Sequence, residues 1–530
     1  MREIVTIQVG QCGNQIGRSF WSRALHEHAA NSTYVEFTDD GGDRTGAVFS
    51  ESMSTFFRNV DMTTKGEMAP GSEIRDLKAR ACLIDMEDGV LSETMRGPLK
   101  DLFTSAQVMS DVSGAGNNWA HGFYEYGGQY GDQFLELVRS QAEPCDSLQS
   151  FFLMHSLGGG TGSGLGTKLL ELLKDNYDGI YRFATSVLPS SSGEGDDVIT
   201  SPYNSVLALN QLTEHADAVL PIDNARLSQL STRISKGAGS GGGGGDHAAG
   251  NASAAVKGKK KKSAGKRSEG GAGGGFDEMN NVVARLLTDL TASMRFAGDL
   301  NTDLNEITTN LVPFPRMHYL CPSLAPMGPT THHAHRSNGM NSSVLVKSLF
   351  RDCFSPESSL ISLGEGCNIR NSSVLACGVF VRGKGIPISD VNSNVARLQS
   401  ELRMPRWNRE GFKIGLCDVN GLDHQSSIMS LCNSEIINSV FEPLTERFYK
   451  LYRRKANVHH YTQFCDGGIF DEAIGNLEDL IEEYKGAGMR GSGGGVEGGL
   501  PPRGDELIWD VNESGGAGAG AGGKRREVAF

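Results

Sequence analysis

Long apolar segments are missing from this chain, and so is any cysteine spacing that would indicate disulfides or a metal site. No apolar run is long enough to cross a bilayer, and the opening residues MREIVTIQ are typical of a strand rather than a signal peptide. The ten cysteines are scattered without a CxxC pair, as is usual for free thiols in a reducing cytosol. The formal net charge of −13 argues against a nucleic-acid-binding protein. We therefore expect neither a membrane nor a nucleic acid as a partner.

The two commonest phosphate-binding motifs are also missing. No segment matches GxxxxGK[ST]; the nearest, Gly378–Gly385 (GVFVRGKG), lacks the final hydroxyl residue, and the overlapping segment Leu375–Val381 is predicted to be a buried strand. GxGxxG is not satisfied within Gly158–Gly166 either, and no acid–base set for hydride transfer is apparent. These absences disfavour a nicotinamide-dependent oxidoreductase.

What the chain does contain is glycine, 69 residues in all, including one glycine-rich loop between regular elements. His155–Thr167 (HSLGGGTGSGLGT) follows the apolar run Phe151–Met154 and overlaps the start of the amphipathic run Leu165–Leu173. A strand, a glycine loop and a helix start direct backbone N–H groups and a helix dipole toward an anion. The alternative, a flexible linker, is disfavoured by the flanking elements. We predict a phosphate-binding loop.

Other glycine-rich segments contain too few apolar residues to form a core. Residues 236–275 hold the glycine run Gly241–Gly245 and the basic cluster Lys257–Arg267 (KGKKKKSAGKR), and we predict a disordered insertion. The basic cluster is either part of a solvated surface loop, which we favour, or a localisation or polyanion-binding patch. Residues 486–530 are predicted to be a glycine-rich tail.

Strand-like and helix-like segments alternate through residues 1–235, which predicts a parallel sheet covered by helices. The predicted strands are Glu3–Val9, Ala81–Asp85, Val108–Asp111, Phe151–His155, Tyr181–Leu188 and Ala218–Ile222. Residues 276–433 are predicted to contain a long helix, Phe276–Arg295, and a second mixed domain. Residues 434–485 are predicted to form a helical hairpin, since apolar residues recur at spacings of four and three from Phe470 to Tyr484. The expected fold class is α/β.

The loop sequence GGGTGSG after a short strand resembles the nucleotide loop of the tubulin superfamily. The segment Glu3–Gly17 (EIVTIQVGQCGNQIG) is similar to tubulin amino termini, and the resemblance continues with interruptions to about Tyr484. It implies a Rossmann-like GTPase domain with a parallel sheet, a long central helix, a second α/β domain and a C-terminal helical hairpin. It also implies GTP or GDP and Mg²⁺ as cofactors.

The resemblance further implies a nucleotide site formed by several separate loops. The positions that match phosphate- or ribose-contacting residues of the family are Gly10, Gln11, Cys12, Ala115, Gly116, Asn117, Ser156, Gly158, Gly159, Gly160, Thr161, Gly162 and Asp197. Glu87 matches the metal-linked acid and Asp85 is its neighbour; carboxylates are the ligands that Mg²⁺ prefers. Ser201 stands where most tubulins have a ribose-binding Glu, so the sugar contacts are expected to differ.

Three further positions match residues of the family that contact the base. Asn224 and Asn280 match the asparagines that bind the guanine edge, and Phe276 matches an aromatic residue that stacks on the ring. An amide carries both a donor and an acceptor, so a pair of amides can distinguish guanine from adenine. Alone, each of these residues would be interpreted as a cap or core residue.

The segment Gly298–Val312 (GDLNTDLNEITTNLV) resembles the loop and helix that tubulins place against the nucleotide of the next subunit. Asp303 and Glu306 are one helical turn apart and are expected to share a face. A carboxylate is needed to orient and activate the attacking water, and the family pattern assigns this role to Glu306, acting in trans. GTPase activity is therefore expected only at subunit interfaces. The alternative is a surface pair of acids on a helix.

Five segments resemble the epsilon branch of the superfamily more than the alpha or beta branches. They are His26–Ala30, Phe56–Asp61, Asp196–Ser205, Phe276–Asn281 and Lys455–Tyr461. The tail GAGAGGKRREVAF also lacks the acidic block of alpha and beta chains. The resemblance implies a cytoplasmic, cytoskeletal protein of centrosomes, centrioles or basal bodies that acts in compound microtubule assembly. Its implied partners are alpha- and beta-tubulin, with delta-tubulin as a further candidate, and centriolar proteins. The alternative is a non-polymerising GTP-binding adapter of the centrosome.

Overall fold

Short apolar strands and amphipathic helices alternate through the amino-terminal half and form a parallel sheet. The computed structural model describes residues 2–39, 42–61, 63–64, 66–190, 198–239, 273–296, 298–328, 342–364 and 366–489. In chain order, the elements up to residue 239 are β1 Glu3–Val9, α1 Gly10–Ala30, β2 Tyr34–Asp39, β3 Gly42–Ala47, α2 Glu51–Ser54, β4 Phe57–Asn59, β5 Leu77–Ala79, β6 Ala81–Asp85, α3 Asp88–Arg96, β7 Val108–Ser110, α4 Gly127–Ala142, β8 Leu148–Ser156, α5 Gly166–Asn176, β9 Tyr181–Leu188, α6 Ser201–His215, β10 Ala218–Asp223 and α7 Asn224–Gly239.

Six of these strands pair in parallel, in the order β10-β9-β8-β1-β6-β7. Val5, Ile7 and Val9 of β1 pack into one core together with α4, α5 and α6, while Ile4 packs into a second core with α1. The chain adds β6 and β7 on one side of β1 and then β8 to β10 on the other. The strand order therefore reverses between β1 and β8, and ligands of such sheets bind at this point, beyond the carboxyl ends of the strands.

The carboxyl-terminal half contains a second sheet and a set of long helices. From residue 273 the elements are α8 Gly273–Leu290, α9 Ala292–Arg295, α10 Leu304–Leu311, β11 Leu320–Ala325, α11 Ser342–Cys353, β12 Val374–Gly383, α12 Ile388–Glu401, β13 Phe412–Cys417, β14 Ser426–Ser434, α13 Asn438–Tyr452, α14 Val458–Tyr461 and α15 Gly468–Met489. The second sheet has the order β11-β14-β12-β13, in which only β12 and β13 pair in parallel. Helices α13 and α15 pack on α6. The predicted fold class is confirmed.

A buried ion cluster joins α1 to the second half of the chain. Glu27 lies 2.6 Å from Arg295 Nη2 and 2.9 Å from Arg382 Nη1, and the same Arg382 nitrogen lies 3.1 Å from Asp289 Oδ1. Burial alone would raise the pKa of Glu27, but the two arginines hold it below its ordinary value. Because a buried charge without a partner is costly, these contacts fix α1 against α8, α9 and β12.

The helices extend further into the glycine-rich segments than predicted. Helix α7 continues to Gly239 and α8 begins at Gly273, so both edges of the predicted disordered insertion are helical. Helix α15 likewise continues to Met489, beyond the predicted end of the hairpin. Once a helix is packed, each added residue gains a hydrogen bond, which favours such extension. The rest of the predicted insertion, 240–272, and of the tail, 490–530, lies outside the described residues.

The helix predicted at Phe276–Arg295 is interrupted at Thr291. The Thr291 hydroxyl donates to Leu287 O at 2.8 Å, a local bond that competes with regular helix geometry. Among the described residues, no helix is both long enough and apolar enough to cross a membrane.

Candidate functional site

A cavity of about 500 Å³ lies at the carboxyl ends of β1, β8, β9 and β10. It is lined by Gly10, Gln11, Cys12, Gln15, Ile16, Glu87, Ala115, Gly116, Asn117, Ser156, Gly158, Gly159, Gly160, Thr161, Gly162, Val187, Leu188, Pro189, Val198, Ser201, Asn224, Leu227, Phe276, Met279 and Asn280. All the predicted site residues are in this lining except Asp85, Asp303, Glu306 and Asp197. Asp197 lies outside the described residues.

Two helix amino termini face this cavity. Helix α1 begins at Gly10, directly after β1, and the π-type turn Thr161–Leu165 follows β8 and continues as α5. First-turn N–H groups lack partners within their own helix, and the helix dipole makes this end positive. Since β1 and β8 are adjacent strands, both positive ends act on the same space, which is suited to a phosphate group.

The loop after β1 and the loop after β8 pack backbone against backbone. Gly10 has a φ of +73°, and a Cβ there would lie 3.1 Å from Gly162 N. Gly160 is equally enclosed, because its Cβ would lie 2.7 Å from Asn118 N and 2.9 Å from Ala115 Cβ. The glycines therefore allow the separate loops to approach one another as well as a ligand.

Gly159 differs from Gly160 because it faces the open cavity. A Cβ on Gly159 would meet only Asn117 Oδ1 at 3.7 Å and Ser156 Oγ at 4.0 Å, and both residues line the cavity. A side chain at this position would occupy ligand space without a collision in the protein.

His155 supports the glycine loop from the sheet. Its Nδ1 lies 2.9 Å from Gly162 O and its Nε2 lies 2.8 Å from Ser186 Oγ. Because a carbonyl only accepts, Nδ1 carries the proton and Nε2 accepts from the serine hydroxyl. Burial lowers the pKa of His155 to about 4, against the smaller opposing effect of the bond to Gly162. The ring is therefore neutral at pH 7.

The two predicted metal-linked acids have different positions. Glu87 lines the cavity and lies against Gly114, whereas Asp85 is buried and does not line it. Asp85 Oδ1 accepts from Glu87 N at 3.4 Å, and burial raises the pKa of Asp85 to about 6. In the described part of the chain, His, Cys, Asp and Glu form no group of three that could hold a metal. One carboxylate, with phosphate oxygens and water as the other ligands, is a donor set that fits Mg²⁺.

The predicted catalytic acids lie at the other end of the sheet. Asp303 is the N-cap of α10: its Oδ1 accepts from Glu306 N at 2.7 Å, and its Oδ2 accepts from Gln149 at 3.0 Å and pairs with Arg2 at 2.5 Å. Asp303 therefore precedes the first helical residue and caps the helix, one turn before Glu306. The Glu306 side chain is 39 % exposed and lies 2.6 Å from Lys413 Nζ.

Strand β8 connects these two regions. Gln149, which contacts Asp303, is near its start, and Ser156, which lines the cavity, is its last residue. At 3.3 Å per residue this segment spans about 23 Å. Glu306 therefore cannot reach the cavity of its own chain.

Comparison with known proteins agrees with this geometry. The family profile described as "Tubulin/FtsZ family, GTPase domain" matches residues 3–232, and "Tubulin C-terminal domain" matches residues 315–446. The tubulin epsilon chains of Homo sapiens and Mus musculus are each 45 % identical to this chain, covering 91 % of it and 96 % of their own length. This chain belongs to the tubulin family. A nucleomorph tubulin beta chain of Guillardia theta is 31 % identical over 92 % of this chain and 96 % of its own.

The predicted resemblance to tubulins, with the epsilon branch more similar than the beta branch, is confirmed by these relatives. A tubulin GTPase domain implies guanine nucleotide binding, and a tubulin is a cytoskeletal protein. The roles of the individual lining residues, Mg²⁺ and the catalytic acid remain predictions.

Sequence reasoning missed the apolar part of this tubulin's cavity. The missed apolar residues are Ile16, Val187, Leu188, Pro189, Val198, Leu227 and Met279. Three of these residues could have been predicted. Ile16, Leu227 and Met279 each lie one helical turn after a predicted contact residue, namely Cys12, Asn224 and Phe276 in that order. Helical spacing from each predicted contact would have found these three.

A larger cavity, of about 740 Å³, lies near the start of β9 and the end of α10. Three of its cationic side chains already have partners in the chain: Lys174 with the carbonyl of Glu214, Arg182 with Asp217, and Arg316 with Glu483. It contains none of the predicted nucleotide residues, so size alone does not identify the nucleotide site.

Proposed function

We propose that this tubulin binds GTP in the 500 Å³ cavity and that hydrolysis is completed only where another subunit supplies the acid. The observation that carries the proposal is the separation of the two halves of the site. The glycine loops lie at the carboxyl ends of β1 and β8, while Glu306 lies near their amino ends. A head-to-tail contact brings the acid of one subunit to the nucleotide of the next.

In this proposal the phosphates lie against the two helix amino termini. Backbone N–H groups of Gly10–Cys12 and of Gly159–Gly162 bind the phosphate oxygens, and Ala115–Asn117 contact the terminal phosphate. Glu87 would hold Mg²⁺ directly or through water, and the bound ion would neutralise charge on the phosphates.

The base lies between the amino ends of α7 and α8. Asn224 and Asn280 bind the guanine edge, and their amides provide the donor and acceptor that adenine would not satisfy. Phe276, which is 51 % exposed, stacks on the ring, while Leu227 and Met279 add apolar contacts.

Glu306 provides a general base, which the phosphate-binding loops lack. Its carboxylate, held by Lys413, orients the attacking water and accepts a proton from it. The loops and helix termini stabilise the negative charge on the transferred phosphoryl group. Neither half is sufficient alone, so the activity depends on contact between subunits.

At the cellular level we propose an epsilon-type role in the compound microtubules of centrioles or basal bodies, with other tubulins as partners. The support is the 45 % identity to two tubulin epsilon chains over nearly their full length. Cryo-electron tomography of basal bodies that carry a tagged chain tests this, since the proposal requires the label on the microtubule wall or its ends. A label confined to the surrounding matrix would instead indicate a non-polymerising adapter.

The binding proposal is tested on the full-length purified chain by identifying the released nucleotide by mass. About one guanine nucleotide per chain is expected. An adenine or nicotinamide nucleotide in its place would contradict the proposal.

A further inference from the structure

Asn204, on α6, is fully buried and does not line the cavity. Its amide nitrogen donates to Asn117 O and to Gly158 O, both at 2.9 Å. Its oxygen accepts from Trp119 N at 3.0 Å and from the Tyr461 hydroxyl at 2.6 Å. An asparagine amide has two donor hydrogens and two acceptor lone pairs, so this side chain uses its whole hydrogen-bonding capacity.

The partners require an asparagine at this position. The two carbonyls can only accept and the Trp119 N–H can only donate, so the amide nitrogen must face the carbonyls. Aspartate would lack both donors. Asn117 adopts a φ of 54°, a left-handed conformation that is uncommon for a residue other than glycine, and the bond from Asn204 holds its carbonyl in place. Asn204 therefore holds the Asn117 loop and the Gly158 loop at a fixed separation.

A carboxyl-terminal segment completes this arrangement. Tyr461 is the last residue of α14, is 1 % exposed, and packs edge-on against Tyr203 and Phe470. Next to it, His460 O accepts from Asn118 Nδ2 at 2.9 Å. The Asn117 loop and the Gly158 loop, here called the phosphate-side loops, are thus connected to two consecutive residues of the carboxyl-terminal helical region: to His460 directly, and to Tyr461 through Asn204.

We infer that Asn204 is a positioning residue for the terminal phosphate of the nucleotide, and that Tyr461 acts through Asn204 to couple the phosphate state to the carboxyl-terminal helices. The inference rests on the proposed nucleotide site, in which Ala115–Asn117 contact the terminal phosphate. GTP binding depends on the position of both loops that Asn204 holds, whereas GDP, which lacks the terminal phosphate, does not use the Asn117 loop and depends on Asn204 less. By linkage, a partner that shifts α14 changes the ratio of GTP to GDP affinity.

The test is Tyr461→Phe in the full-length chain, which keeps the ring packing and removes only the hydroxyl. Dissociation constants for GTP and GDP are measured by competition against a fluorescent guanine nucleotide. The loss of one buried hydrogen bond predicts a rise of roughly 2- to 10-fold in the dissociation constant for GTP, with a smaller rise in that for GDP.

The matched control is Tyr203→Phe. The Tyr203 hydroxyl donates to Ala456 O at 2.9 Å and touches neither phosphate-side loop. It is a partly buried hydroxyl of the same region, so this variant reports the general cost of losing such a bond. We expect Tyr203→Phe to leave the GTP to GDP ratio unchanged.

Asn204→Asp provides a second, isosteric variant that removes both donors. Asn204→Asp should weaken GTP binding more than Tyr461→Phe does. Adding Tyr461→Phe to Asn204→Asp should change the ratio of GTP to GDP affinity little further, because both substitutions act through the Asn204 side chain. If Asn204→Asp fails to fold, the comparison of Tyr461→Phe with Tyr203→Phe is sufficient to test the coupling between Tyr461 and the terminal phosphate.

The outcomes separate this inference from the proposed function. A wild-type chain that binds no guanine nucleotide would contradict the proposed function itself. A wild-type chain that binds GTP, with the same GTP to GDP ratio in Tyr461→Phe and Tyr203→Phe, would overturn the coupling and leave the nucleotide site intact.

Discussion

At the scale of single residues, the amide of Asn280 is the most specific test of which base the cavity accepts. Asn280→Asp removes the donor and adds a charge, so guanine should bind more weakly. A purine with an amino donor in place of the O6 acceptor, such as 2,6-diaminopurine, should gain affinity relative to guanine. A buried hydrogen bond left unsatisfied costs about 1–3 kcal/mol, which predicts a loss of GTP affinity of roughly 5- to 150-fold. Competition between GTP and the triphosphate of 2,6-diaminopurine riboside measures the change.

The neighbouring Asn281 supplies the control for that variant. Asn281 is exposed on the same helix and does not line the cavity. Asn281→Asp introduces the same charge one residue away and should leave the preference for GTP over the 2,6-diaminopurine nucleotide unchanged. Equal effects of the two substitutions would mean that Asn280 does not contact the base.

Single residues were predictable where a backbone constraint or a family motif determined them. The glycines of the loop after β8 and the asparagine pair all line one cavity. The capping role of Asp303 was not predicted, because a carboxylate three residues before another acid can be a helix cap or one member of a surface pair. Spacing alone does not distinguish these, since the difference depends on whether the first residue is inside the helix.

At the scale of elements, the loop after β8 should respond differently to substitution at two adjacent glycines. Gly159→Val should fold and fail to bind nucleotide, because a Cβ at this position faces the cavity and makes only ordinary van der Waals contacts with the protein. Gly160→Val should instead misfold the loop, since its Cβ collides with Asn118 and Ala115. The φ of Gly160 is −86°, so crowding and not backbone strain excludes a side chain there.

Thermal unfolding and nucleotide content of the purified variants separate these outcomes. Gly128→Val is the control, because Gly128 is exposed on α4 and a Cβ there meets nothing within 4 Å. We expect it to keep both its stability and its nucleotide. A folded Gly159→Val chain that retains GTP after desalting would show that this loop does not bind phosphate.

The support of that loop by His155 should depend on pH. The folded-state pKa of about 4 is below the ordinary value of 6.5, so the unfolded chain binds the proton first. The stabilisation by neutral His155 is therefore complete above pH 6.5 and is lost as the pH falls toward 4, by at most about 3 kcal/mol.

His155→Asn tests this, because its amide can still donate to Gly162 but does not titrate. The variant should be less stable than wild type at pH 7.5, and the difference in melting temperature should shrink at pH 5. Comparing the two proteins cancels the contribution of the other buried histidines. A difference that stays constant across this range would contradict the assignment.

Element boundaries followed the strength of the sequence pattern. Tyr181–Leu188 and Ala81–Asp85 were predicted with the bounds observed, since each is a short apolar run between polar turns. The hairpin of β2 and β3 was missed because its second strand, GDRTGA, has neither alternation nor β-branched residues beyond one threonine. Its pairing comes from the neighbouring strand and not from its own composition.

At the scale of the whole molecule, the contacts that join distant segments could not be predicted from the sequence. Glu27 pairs with Arg382 across 355 residues, and Tyr461 bonds Asn204 across 257. Neither pair has a local signature, because a buried ion or amide is specified by what surrounds it after folding. The arrangement of the two halves of the proposed catalytic site was accessible only through the family resemblance.

Whether hydrolysis requires two subunits is tested most directly by measuring the GTP hydrolysis rate per subunit against concentration, with and without partner tubulin. We expect slow turnover by the monomer and a rate that rises with assembly. Glu306→Ala should keep GTP affinity near wild type and lower the assembled rate roughly 10²–10⁴-fold. Lys413→Ala, which removes only the ion-pair partner, should have a smaller effect. A concentration-independent rate from a verified monomer, abolished by Glu306→Ala, would place the acid in the same chain and contradict the shared site.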